Sequence, residues 1–291
     1  MRLAAILLNT LALAFLTACA TTENKTADAA ETAVDVVEPT RIYATVGDVN
    51  ALDSVKPTVL ITGANRGIGL EFVRQLTERG WNIIATARKP ASAEELLAVA
   101  AAYPQLIVEE LDVTDHARID GLAEKYAATP IDILLSNAGI TPRYKSAFGK
   151  VSGVDWDMAR RSHEVNAIGP LKLTQSFMSH VAASNMKKIV VISSKAGSFE
   201  LSPKMPMMYS YRGSKAALNM YMYTLSFETA KPGVIVTMLS PGQVNTTPGF
   251  KMKGAIEPDE SVTKMLAVID GLTADNNGQF LDYSDGRILG W

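Results

Sequence analysis

From Pro57 onward the chain alternates short apolar, β-branched runs with longer stretches whose apolar residues recur at helical spacing. Residues 58–62 (Thr-Val-Leu-Ile-Thr) predict a buried strand, residues 63–69 are glycine-rich, and residues 70–79 predict a helix stopped by Gly80. Further strands are predicted at 82–86, 106–111, 131–135, 189–192, 234–239 and 278–281. Helices are predicted at 91–102, 116–127, 155–183, 210–230 and 259–272, with that at 155–183 broken near Gly169-Pro170. Apolar strands in repeated βαβ order imply one doubly wound α/β domain over residues 57–291, a mostly parallel seven-stranded sheet with helices on both faces.

The start of the chain has a different pattern. One charge, Arg2, precedes an apolar run over residues 3–16. That run is shorter than the about 20 residues a bilayer span needs and has the shape of a signal-peptide core. It ends in Leu16-Thr17-Ala18-Cys19, which resembles the bacterial lipobox, where the cysteine is lipidated and becomes the new N-terminus. Residues 1–19 are therefore expected to be a lipoprotein-type signal peptide, with Cys19 carrying a lipid anchor to the membrane. Ala20 is not acidic, so resemblance to lipoprotein sorting implies the outer membrane of a two-membrane bacterium, on its periplasmic face; the alternative is a cytoplasmic protein. Residues 20–56 carry seven carboxylates against three basic side chains and show no sustained period, which predicts a flexible acidic linker. Residues 41–49, richer in β-branched and aromatic side chains, could dock on the domain.

Composition narrows the chemistry. With 47% hydrophobic and 20% charged residues the chain can bury a sizeable core, and a net charge of −2 argues against a nucleic-acid partner. The single cysteine excludes a disulfide framework, and His116, His163 and His180 lack ligand spacing, so no metal site is expected.

Gly63-Ala64-Asn65-Arg66-Gly67-Ile68-Gly69 falls between the first strand and the first helix. There a backbone turns tightly, approaches a pyrophosphate and aims helix N–H groups at it. The spacing Gly-x-x-x-Gly-x-Gly after Thr62 resembles the short-chain dehydrogenase/reductase family, whose fold is of the Rossmann type. The resemblance continues in Leu111-Asp112-Val113, Ser136-Asn137-Ala138-Gly139, Val165-Asn166, Ile192-Ser193-Ser194, Tyr211-x-x-x-Lys215 and Pro241-Gly242, in the family's order and over residues 57–291. It implies cofactor contacts from Gly63, Asn65, Arg66, Gly67, Ile68 and Gly69, from Asp112 and Val113 at the adenine, and from Asn137, Ala138 and Gly139. The stretches Tyr211 to Asn219 and Asn277 to Gly286 look like the branch of C-factor proteins and sniffer-type carbonyl reductases, which implies further contacts from Pro241, Gly242, Val244 and Thr246. Charge adds the choice of cofactor. An NAD site needs a carboxylate after the second strand, but this chain has Ala87-Arg88 there and Arg66 in the glycine loop, which favours the 2′-phosphate of NADP(H) over NAD(H).

Tyr211 and Lys215 lie four residues apart on a predicted helix and share a face. An ammonium there favours the phenolate, which should lower the tyrosine pKa and make it a competent proton carrier. The resemblance gives Lys215 a second role on the nicotinamide ribose, makes Ser194 the group that polarises the substrate carbonyl, and makes Asn166 the residue that distorts the long helix and holds a water for proton return. Ser193 is then the neighbour facing away. Ser194 and Tyr211 stand about four residues further apart than is usual in the family, so residues 199–208 must form an enlarged loop. Methionines 205, 207 and 208 either line a lid over an apolar substrate or fill that loop's own packing. The expected activity is NADP(H)-dependent reduction of a small-molecule ketone, aldehyde or quinone, with Tyr211 as the acid. The alternative is a surface-tethered, catalytically idle signalling or interaction protein on the same fold. Helix 210–230 is apolar nearly all round, which fits a homodimer or homotetramer interface or packing on the sheet.

Overall fold

The computed structural model describes residues 42–142, 149–247 and 249–291; the predicted signal peptide, Cys19 and residues 20–41 lie outside them. The central strand is β2 (Thr58–Thr62), flanked on one side by β3 (Asn82–Ala87) and β4 (Leu106–Glu110), on the other by β5 (Ile133–Ser136), β6 (Lys188–Ile192), β7 (Ile235–Ser240) and β8 (Phe280–Asp282). All these neighbours pair in parallel. Parallel pairing demands crossovers, supplied by α1 (Gly67–Glu78), α2 (Glu94–Ala102), α3 (His116–Lys125), α4 (Trp156–His163), α5 (Gly169–Ala182), α6 (Tyr209–Thr229) and α7 (Pro258–Asp270). Strand alternation divides the core in two. Val59 and Ile61 pack with Phe72, Leu96 and Leu266 on one face of the sheet, while Leu60 packs with Leu122, Phe177 and Met222 on the other.

The sheet has eight strands, not seven, because β1 (Thr45–Val46) adds an antiparallel edge to β4. The compact unit accordingly runs from Ile42 to Trp291, so residues 42–56, read as linker, belong to the domain. The reason is a long-range anchor. Glu109 on β4 is fully buried and accepts from Thr45 Oγ1 (2.8 Å), Tyr126 (2.7 Å), Arg118 (3.0 Å) and Lys125 (2.6 Å). Tyr43 bonds Asp115 at 2.9 Å and lies under the Arg118 guanidinium, while the Asn82 side chain holds Asp53 from both sides. A buried carboxylate with these partners can be left at a sheet edge only if the edge is covered.

The long helix does not break at Gly169-Pro170. Its irregularity comes earlier, as a π-helical turn over Glu164–Ile168 centred on Asn166, and α5 continues directly from it. Proline is tolerated there because it sits in the first turn of α5. Glycine is needed because a Cβ at Gly169 would lie 2.8 Å from the Val113 carbonyl oxygen.

Candidate active site

The strand order reverses between β2 and β5, so the loops leaving these two strands border the crevice where open α/β sheets bind ligands. The glycine turn closes against the β5 loop. A Cβ at Gly63, whose φ is +67°, would lie 2.9 Å from Ala138 Cα, and one at Gly69 would lie 2.3 Å from the Gly63 carbonyl oxygen. Thr62 and Asn137 lock the two loops together. Thr62 Oγ1 accepts from the Asn137 and Ala138 amides, each at 3.1 Å, and the Asn137 side chain donates to the Thr62 and Gly63 carbonyls. Asn137 thus braces the turn, and Thr62 is a site residue whose role only this geometry reveals. α1 begins at Gly67 with no side-chain cap, leaving its first amides facing the crevice end of the sheet.

Around this turn the other expected cofactor residues gather. Asn65 and Arg66 are exposed at its tip, and Ile68 packs its side chain into the core. Arg88, exposed just after β3, and Arg66 have no ion-pair partner among the described residues. The Asp112 carboxylate accepts from the Thr114 amide and hydroxyl, which shapes the turn after β4, and Val113 is buried against Gly169. The loop after β7 closes the far side. A Cβ at Gly67 would lie 3.2 Å from Thr246 Cβ, Gly242 has φ +80° beside the Tyr283 ring, Pro241 accepts from Ser261, and Val244 pairs with Ile256.

The fit to a dinucleotide rests on these observations. The cradle has no room for a Cβ at Gly63 or Gly69, the helix start is uncapped, and Arg66 in the turn and Arg88 after β3 are exposed without an ion-pair partner among the described residues, with no carboxylate directly following β3.

β6 delivers Ser193 and Ser194, and α6 carries Tyr211 and Lys215 on one face. Ser193 turns inward to donate to Asn219, so Ser194 is the serine left beside the Tyr211 phenol, near enough to influence its ionisation. Ser194 opens the short turn Lys195–Gly197, its Oγ accepting from the Ala196 amide at 3.1 Å. A Cβ at Gly197 would lie 2.7 Å from the backbone of Lys215, so glycine lets this turn pack onto α6. Lys215 is buried and donates to the Ile192 carbonyl at 2.7 Å, its ammonium 5.9 Å from the centre of the Tyr211 ring. Asn166 lies fully buried in the π-turn, exchanging bonds with the backbone of Ile140 and donating to Ser214. A Cβ at Gly139 would face Asn166 Oδ1 at 3.3 Å and Lys215 Nζ at 3.9 Å. Asn166 and Lys215 therefore stand beside the open face of Gly139.

One expectation is reversed. Burial raises the Tyr211 pKa above its ordinary value, with the neighbouring Ser194 opposing it, where the lysine was expected to lower it. Burial also pushes the Lys215 ammonium down to about 8. The lysine bonds a backbone carbonyl, and desolvation of the phenolate is the largest influence on the tyrosine.

The enlarged loop projects outward without separating the two hydroxyls. Phe199 and Met205 are exposed, while Ser202 donates back to the Lys195 and Ala196 carbonyls. Met208 lines a cleft of about 310 Å³ with Pro142, Val154 and Met158, but none of Asn166, Ser194, Tyr211 and Lys215 borders that cleft. Of the histidines, His180 bonds the Ala123 carbonyl and His163 the Tyr221 hydroxyl.

The model of the short chain dehydrogenase family matches residues 57–257. An uncharacterized oxidoreductase of Schizosaccharomyces pombe is 33% identical over 249 residues, which cover 79% of this chain and 96% of that protein. C-signal of Myxococcus xanthus is 33% identical over 159 residues, covering 55% of this chain and 92% of its own. The solved carbonyl reductase Sniffer of D. melanogaster aligns with a TM-score of 0.74 at 26% identity, covering 81% of this chain and 100% of that one. The NADPH-bound carbonyl reductase from chicken fatty liver aligns at 0.73 and 31% identity, covering 83% and 96%. With its glycine turn, its Ser-Tyr-Lys set and most of its length matched, the chain belongs to the short-chain dehydrogenase/reductase family of oxidoreductases.

Proposed function

We propose that the domain is an NADP(H)-dependent carbonyl reductase converting a ketone, aldehyde or quinone to an alcohol. The observation that carries this reading is Ser194 placed beside the Tyr211 phenol, with Lys215 buried one helical turn further on. The glycine turn and the start of α1 suit the pyrophosphate, Asp112 and Val113 the adenine, and Arg66 with Arg88 the 2′-phosphate, the basis for preferring NADP(H). Pro241, Gly242, Val244 and Thr246 suit the nicotinamide amide and the phosphates, Asn137, Ala138 and Gly139 suit the cofactor beside them, and Lys215 suits the ribose hydroxyls. The reduced nicotinamide, when bound, supplies a hydride to the carbonyl carbon.

At the carbonyl oxygen, Ser194 donates a hydrogen bond and Tyr211 gives up its proton, so the product leaves as a hydroxyl. Burial keeps Tyr211 protonated at neutral pH, the state a donor needs. The Lys215 ammonium then stabilises the phenolate left behind, and the π-turn at Asn166 is the route by which a proton returns from solvent. NADPH oxidation by the Ile42–Trp291 domain with a panel of carbonyl compounds tests this. Turnover that disappears in Tyr211→Phe supports it, and absence of both NADPH binding and turnover would leave the idle, non-catalytic reading.

Assembly and location complete the proposal. Met220, Tyr223 and Phe227 are exposed on α6, which supports a homodimer or homotetramer. Cys19 remains the proposed lipid attachment to a bacterial membrane, tested by metabolic labelling with a fatty-acid analogue in wild type and Cys19→Ala. Label that persists in the variant would remove Cys19 from that role.

A further inference from the structure

Lys195 follows Ser194 directly, yet its side chain leaves the site and pairs with Asp282 of β8. Asp282 is 1% exposed. One of its oxygens accepts from the Ser284 amide (3.0 Å) and hydroxyl (2.6 Å); the other meets the Lys195 ammonium at 2.5 Å and the Arg287 guanidinium at 3.9 Å. Burial pushes the Asp282 carboxyl up, but the Lys195 ammonium paired with it and the bonds from Ser284 together outweigh it and hold it below the ordinary carboxylate range. Beyond β8 the chain doubles back. Asp282 donates its amide to the Arg287 carbonyl and Leu289 to that of Phe280, and the Trp291 ring stacks on Phe280 at 5.8 Å. Residues 290 and 291 then accept from the Ser194 loop: the Ser198 hydroxyl reaches Gly290 at 2.8 Å and the Glu200 amide reaches Trp291 at 3.0 Å.

We propose that the Lys195–Asp282 pair, with the tail 287–291, is a latch that positions Ser194 for the carbonyl substrate. The backbone before Ser194 is already held, since Ser193 bonds Asn219 by its hydroxyl and Leu239 by its amide. What sets the Ser194 hydroxyl is the turn after it, because Oγ accepts from Ala196 within that turn. Gly197 seats one side of the turn on α6, and Lys195 ties the other side to β8. Tyr211 and Lys215 ride on α6 and do not share this tie, so a loosened latch displaces Ser194 alone. The two ends of the pair come from residues 87 positions apart, on elements that only the sheet brings together.

This inference rests on the reductase reading for its catalytic consequence but not for the latch itself, and two readouts separate them. Hydrogen exchange of the full chain should quicken about tenfold over residues 195–202 in Lys195→Met and in Asp282→Asn, with α6 unchanged; unchanged exchange overturns the latch whatever the activity. Carbonyl reduction by Lys195→Met should lose about tenfold in kcat/KM, with NADPH Kd within about twofold of wild type and recovery in Lys195→Arg. In a Ser194→Ala background the same substitution should cost nothing more. An undiminished kcat/KM, or an equal loss without the serine, overturns the positioning role. A wild type with no turnover, but with the exchange response intact, would sink the reductase reading and leave the latch as a structural one.

Discussion

Lys215 reaches from α6 to the end of β6 and donates its ammonium to the carbonyl of Ile192 at 2.7 Å, a buried charge held by a neutral acceptor. That pairing decides which group limits activity on the alkaline side. Burial lowers Lys215 to about 8 and raises Tyr211, so as pH rises the lysine loses its charge first. NADPH binding should weaken above about pH 8, and do so equally in Tyr211→Phe. A midpoint that vanishes in that variant would assign the titration to the tyrosine.

The same burial has a stability consequence. Lys215 moves from its ordinary 10.5 to about 8, a difference that corresponds to about 3 kcal/mol against the folded state. The penalty is complete below the folded pKa, shrinks between about 8 and 10.5, and is gone above it. Lys215→Met should therefore raise thermal stability at pH 7 by about 1–2 kcal/mol, after subtracting the lost Ile192 bond, while removing activity. Scans at increasing pH should show the gain shrinking. A gain that stays constant to pH 11 would contradict the buried-charge account.

Gly69→Ala should disrupt the cofactor turn, since its Cβ would meet the Gly63 carbonyl at 2.3 Å and Asn137 Nδ2 at 2.5 Å. A loss of about 1–3 kcal/mol in stability and a collapse of NADPH affinity are expected. Gly121→Ala in α3 is the control: nothing lies within 4 Å of its Cβ, so it should stabilise by about 0.5–1 kcal/mol. Denaturant titration of both variants provides the comparison.

Arg66→Ala and Arg88→Ala should each weaken NADPH binding by about 1.5–3 kcal/mol and leave NADH binding nearly unchanged. Fluorescence titration with both cofactors reads this directly. Equal losses would mean that neither guanidinium reads the 2′-phosphate.

A domain that starts at Pro57 should be less stable and more prone to aggregate than one that starts at Ile42. It lacks β1, and β4 then presents an open edge with the Glu109 carboxylate uncovered. Within the longer domain, Glu109→Ala should cost about 3–5 kcal/mol, because Arg118 is left buried without its partner. Thermal melts and light scattering compare the three proteins needed.

Local spacing carried what depends on local spacing. The β-branched run 58–62, the glycine turn and the i, i+4 pair Tyr211 and Lys215 are each written within a few residues, so strand, cradle and shared helix face follow from the chain alone. The choice of Ser194 over Ser193 came from the family resemblance, and the fold agrees in turning Ser193 inward to Asn219. Other features depend on contacts between distant residues. β1 is only two residues long and exists because Glu109, 64 positions from Thr45, needs partners at an open edge. Asn137 could be recognised by its motif, but its bonds to Thr62 and Gly63 arise only when β2 and β5 lie side by side. The direction of the Tyr211 pKa was misjudged because helical spacing counts the neighbouring charge and not the water removed around the phenol. Spacing places side chains relative to their own element; burial and long-range pairing belong to the assembled sheet, and they set the ionisation of Tyr211 and Lys215 and the edge that β1 covers.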